Sequence, residues 1–85
     1  MQLIGRVLRE GEPVGGAYVR LLGPSGEFTA ELRTDDSGHF TFYPVEGSWT
    51  LIGMLPGGIE VKCSVILNTG QTAEVDLEVS KLASS

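Results

Sequence analysis

With 85 residues, the chain has room for one domain and a thin core. Eleven acidic residues against six basic ones give a net charge of −5, and Arg6, Arg9, Arg20, Arg33, Lys62 and Lys81 fall singly; neither a nucleic acid nor a membrane surface is expected as a partner. The lone Cys63 excludes an internal disulfide, the start MQLIGRVLREG lacks the basic and apolar regions of a secretion signal, and no apolar run could span a bilayer, so the cytoplasm is the expected compartment.

Apolar residues recur at every second position, and no long stretch keeps the i, i+3, i+4, i+7 spacing of a helix. Strands are predicted over Gln2–Arg9, Ala17–Leu22, Glu27–Thr34, His39–Tyr43, Ser48–Leu55, Ile59–Leu67 and Thr72–Val79. The intervening EGEPVGG, GPSG, DDSG, PVEG, PGG and NTG supply Gly for positive φ or Pro for a fixed φ. Connections this short favour antiparallel neighbours. Residues 1–80 read as a single domain and 81–85, KLASS, as a frayed tail.

Alternation also assigns faces. Ala17, Val19 and Leu21 point one way, as do Phe28, Ala30 and Leu32, then Phe40 and Phe42, Trp49 and Leu51, Val61, Cys63, Val65 and Leu67, and finally Val75, Leu77 and Val79. Between the last three stand Glu74, Asp76 and Glu78 at positions that must face water. Two sheets burying these rows against each other form a two-layer sandwich.

The runs GRVLREGEPVGGAYVRL, TDDSGHFTF and VEGSWTL resemble the pattern G-x-V, P-x-x-G-A-x-V-x-L, T-D-x-x-G-x-F-x-F, G-x-Y/W-x-L of carboxypeptidase regulatory-like domains. The resemblance covers Leu3 to about Val79 and implies a transthyretin-like (prealbumin-like) fold: all-β, a seven-stranded antiparallel Greek-key β-sandwich. EGEPVGGAYVRLL followed by SGEFTAEL is similar to a small, uncharacterised actinobacterial family often encoded beside thiosulfate sulfurtransferases. The 5-hydroxyisourate hydrolases of the same fold carry several histidines and a C-terminal Tyr-Arg-Gly-Ser motif. This chain holds one histidine and ends LEVSKLASS, which argues against that activity.

No catalytic, cofactor-binding or metal-ligating residue is assigned. Asp35 and Asp36 offer too few oxygens for a calcium cage. They read as a hairpin turn in which an Asp side chain accepts backbone N–H bonds and Gly38 takes positive φ. His39, out of phase with Phe40 and Phe42, is expected on the outer face, without the companions a general base needs. Cys63, in phase with Val61 and Val65, reads as a small core residue rather than an activated thiolate.

One feature departs from sandwich grammar. The outer positions include Ile4, Leu8, Tyr18, Leu22, Ile52, Met54 and Ile66, enough apolar surface for an interaction face. The chain is therefore expected to be a non-enzymatic binding or assembly module that self-associates or docks to a protein partner. One alternative is an accessory subunit or small enzyme connected with sulfur transfer, which a reactive Cys63 would mark. Another is a carbohydrate- or peptide-binding domain, for which Tyr18 and Tyr43 are the available exposed aromatics.

Overall fold

A computed structural model describes residues 1–79; the reading of 81–85 lies outside the described residues. Eight strands follow in order: β1 Gln2–Arg9, β2 Glu12–Pro13, β3 Tyr18–Leu22, β4 Phe28–Arg33, β5 His39–Phe42, β6 Gly47–Leu55, β7 Ile59–Leu67 and β8 Thr72–Val79. The seven expected strands are all present, each within one residue of its expected ends. The addition is β2, which pairs antiparallel with the end of β1 across a turn in which both Glu10 (φ 52°) and Gly11 (φ 82°) are left-handed. Positive φ at both central residues is the signature of the type I′ form of a two-residue hairpin.

The strands form two sheets. In the first, β1 is central, with β8 along one side and β5 and β2 sharing the other. In the second, the order is β4-β3-β6-β7, antiparallel throughout. The chain changes sheet between β2 and β3, β4 and β5, β5 and β6, and β7 and β8, so the sheets are woven into one sandwich. β1 and β8 run parallel along their whole length, from Gln2 opposite Thr72 to Arg9 opposite Val79. The expected all-β sandwich is present, but its expected antiparallel pairing is corrected at this one pair: β1 and β8 stand at opposite ends of the described chain, and no short connection forces them to run in opposite directions.

The core lies between the sheets. Leu3, Val7, Phe40, Phe42 and Leu77 from the first sheet meet Val19, Leu21, Leu51, Leu55 and Leu67 from the second, with Ala17 beside them. Gly53 is an inward position whose missing Cβ admits Leu77 from the facing sheet; an added Cβ would lie 3.3 Å from Leu77 Cδ1.

Two assignments are corrected. Phe28 was placed in the core phase with Ala30 and Leu32, but it is 62% exposed. A bulge between Leu21 and Leu22 sets Leu21 opposite Ala30 and Leu22 opposite Phe28, and the extra residue, Thr29, turns Phe28 to the outer face. Leu8 was placed in the exposed patch, but it is 6% exposed. Pro13 of β2 and Glu78 of β8 flank it on both sides.

Candidate functional site

The turn that gathers the acidic pair and the histidine is structural in its bonding. Asp35 accepts the backbone N–H groups of Ser37 and His39 at 2.9 Å each, and the Gly38 N–H reaches the Asp35 carbonyl at 2.9 Å, with Gly38 at φ 76°. This is the Asp-and-glycine turn expected from the sequence. His39 is exposed, as its phase requires, with Nδ1 3.9 Å from the Asp35 carboxylate. Among the described residues no three His, Cys, Asp or Glu side chains come together as a metal site. Cys63 faces inward but is only half-buried, on a strand at the edge of its sheet.

Two surfaces remain. The outer face of the β8-β1-β5 sheet carries an open groove of about 440 Å³ lined by Ile4, Arg6, His39, Thr41, Glu74 and Asp76. Arg6 lies 3.6 Å from Asp76, and both are about half exposed, so their attraction is screened and weak. With Glu74 and Glu78 alongside, this face is polar and predominantly acidic.

The outer face of the β4-β3-β6-β7 sheet differs in kind. Cross-strand register sets Arg33, Tyr18, Met54 and Glu60 in one row, Glu31, Arg20, Ile52 and Lys62 in the next, and Phe28, Leu22, Thr50 and Ser64 in a third, with Ile66 opposite Ser48 beyond. Tyr18, Leu22, Phe28, Ile52, Met54 and Ile66 thus share one surface. Tyr18, Phe28 and Ile66 are exposed at 45%, 62% and 69%. Arg33 lies 5.3 Å from the Tyr18 ring centre and Arg20 5.7 Å from that of Phe28, within cation–π range. Arg20 also donates to Glu31 through Nε at 3.0 Å and Nη2 at 2.9 Å.

The expected seven-residue patch is therefore divided. Tyr18, Leu22, Ile52, Met54 and Ile66 come together. Ile4 lies across the molecule in the polar groove, and Leu8 is buried. Phe28 joins the apolar face, and period-two alternation alone gave no signal for it, because the bulge reverses its phase.

A two-sheet β-sandwich with one polar and one apolar outer face defines the class of this protein. Residues 1–79 match the family described as a protein of unknown function, DUF1416, and the chain belongs to that family. Two uncharacterized proteins of Mycobacterium tuberculosis, Rv0814c and Rv3118, are each 47% identical over 57 residues, which are 66% of this chain and 57% of theirs. An uncharacterized protein of Mycolicibacterium smegmatis is 44% identical over 57 residues, 66% of this chain and 63% of its own. The chain thus matches 57% to 63% of the length of these curated relatives, less than two thirds.

Among solved structures, the Bacillus anthracis TIE protein superposes with a TM-score of 0.78 at 18% identity over 94% of this chain and 17% of its own. A DUF3823 family protein from Parabacteroides merdae gives 0.73 at 20% identity, over 92% of this chain and 44% of its own. The dioxygenase domain of a dioxygenase carbohydrate-binding protein fusion from a Streptomyces gives 0.70 at 12% identity, over 93% and 78%. At these identities the likeness concerns the fold alone.

Proposed function

We propose that the protein is a non-enzymatic binding module of transthyretin-like type that docks to a protein partner through the outer face of the β4-β3-β6-β7 sheet. The observation that carries this reading is the gathering of Tyr18, Leu22, Phe28, Ile52, Met54 and Ile66 on that one surface. Apolar clusters of this kind on a small domain mark contact surfaces. The molecule measures 35 × 24 × 20 Å, so its broad face approaches the roughly 800 Å² per partner of a standard interface. Charge narrows the partner's chemistry. Arg20, Arg33 and Lys62 outnumber Glu31 and Glu60 here, although the chain carries −5 overall. The complementary surface offers apolar side chains rimmed by carboxylates.

The carbohydrate alternative now has three exposed aromatics, Tyr18, Phe28 and Tyr43. Arg33 and Arg20 lie over the first two rings, which lowers their value as stacking platforms for a sugar. The sulfur-transfer alternative rests on Cys63 and predicts fast alkylation of the native thiol near neutral pH. Affinity capture with the wild type and with Ile52→Asp, Met54→Asp, followed by reconstitution of the purified pair, tests the docking reading. A 1:1 complex lost in the variant and weakened by salt is expected. A partner bound equally by both proteins overturns the reading.

A further inference from the structure

The flank formed by β7 and β8 is less closed than the rest of the sandwich. The inward residues Val61, Cys63 and Val65 of β7 and Ala73 and Val75 of β8 are only half-buried, although they pack on the core. β7 is nine residues long, pairs with β6 from Leu67 opposite Gly47 to Ile59 opposite Leu55 without a register shift, and contains no proline. Among the described residues no strand pairs with its other side. A long, regular edge of this kind is a template for a further strand.

The ladder indicates which groups that edge presents. Thr34 donates its N–H to the Ala17 carbonyl, and antiparallel bonding alternates from there. Val19 and Leu21 turn to β4, and Tyr18, Arg20 and Leu22 turn to β6. On β6, Trp49, Leu51 and Gly53 turn to β7, where Val65, Cys63 and Val61 turn back to them. Glu60, Lys62, Ser64 and Ile66 are left with their N–H and C=O groups directed out of the sheet.

We infer that β7 is a self-pairing edge: two copies of this chain join antiparallel about a two-fold axis at Val61. This register sets Glu60 opposite the partner's Lys62 and Lys62 opposite the partner's Glu60, each a backbone-bonded pair with complementary charge. Val61 meets its own copy, and Ile59 meets the partner's Cys63, on the half-buried inner face. Lys62 alone would guard the edge as an isolated charge. With Glu60 two residues away it becomes half of a self-complementary set. Pairing also joins the two apolar outer faces side by side. The inference does not depend on what those faces dock, because it rests on the edge and not on the face.

Sedimentation equilibrium up to about 1 mM protein is the primary test. A mass twice the 9.1 kDa of the monomer is expected at the upper end. Lys62→Pro removes an outward N–H that β6 does not use, so the folded monomer should persist at all concentrations. Glu60→Lys and Lys62→Glu should each weaken association tenfold or more, and the double variant Glu60→Lys, Lys62→Glu should restore it. These exposed substitutions keep the test decisive if Lys62→Pro does not fold. In a Cys63→Ser background, Val61→Cys should form an intermolecular disulfide under mild oxidation, because directly opposed residues in a non-bonded pair have Cα atoms about 4.5 Å apart. A wild type that stays monomeric throughout, a dimer undiminished by folded Lys62→Pro, or a double variant that does not recover overturns the inference.

Discussion

Phe40 stands directly opposite Gly5, and its ring closes over the place where a side chain would otherwise be. A Cβ at Gly5 would lie 2.8 Å from Phe40 Cζ and would collide with the Val75 carbonyl oxygen. Gly5 is thus required for space, between an aromatic of β5 and the backbone of β8. Gly5→Ala is expected to cost about 3 kcal/mol, the upper part of the usual overpacking range, because the obstacle at Val75 is main chain and cannot rotate away. Phe40→Ala should cost about 3 to 5 kcal/mol. Urea denaturation of both variants measures the losses. A near-neutral Gly5→Ala would mean that β1 and β8 are not so closely paired.

Thr34 joins two connections that run far apart in sequence. It is buried, its hydroxyl accepts the Ala17 N–H at 3.0 Å and donates to the Val14 carbonyl at 2.7 Å, and its own N–H reaches the Ala17 carbonyl at 2.8 Å. Thr34→Val keeps the shape and removes the hydroxyl, leaving a buried donor and acceptor without partners at about 1 to 3 kcal/mol. Thr34→Ser keeps both bonds and loses one methyl group, about 1 kcal/mol. Equilibrium unfolding should therefore rank wild type, Thr34→Ser and Thr34→Val in that order of falling stability.

The Asp35 turn gives a similar ranking at an exposed site. Asp35→Ala loses two backbone acceptor contacts and should cost about 1 to 2 kcal/mol. Asp35→Asn retains an oxygen in the same place and should cost less. His39→Ala, which removes an exposed ring, should stay within about 0.5 kcal/mol. Thermal melts of the three variants suffice. A large loss at His39 would mean that its ring carries packing that its exposure does not reveal.

Most of the fold was legible because it depends on local pattern. The alternation of Val75, Leu77 and Val79 with Glu74, Asp76 and Glu78 fixes a strand with a wet and a dry side, and the spacing of Asp35 and Gly38 fixes a turn. Phe28 was not legible, because the bulge that turns it outward is a relation between β3 and β4 and leaves no period of its own. Leu8 was misplaced for a related reason: alternation gives the side of the sheet but not what covers it there. The candidate face was legible residue by residue but not as a unit. Which strands are neighbours decides that Tyr18, Ile52 and Ile66 share a surface while Ile4 lies on the other sheet.

Trp49 shows how position in a sheet sets the worth of a side chain. Its alternation with Leu51 points it inward, where it packs against the core, yet it is only half-buried near the start of β6. Its indole Nε1–H donates to the Val45 carbonyl at 2.8 Å, tying the β5–β6 connection to the strand. Full burial would put Trp49→Ala at about 3 to 5 kcal/mol; half-burial brings the expectation to about 2 kcal/mol. Trp49→Phe keeps most of the apolar contact and removes the bond, so it should cost about 1 kcal/mol. The loss in Trp49→Phe should be local, with the amides of Val45 and Glu46 exchanging faster while those of β3 and β6 keep their protection. Equal loosening of β3 would instead make the indole a general support of the core, and its bond to Val45 incidental.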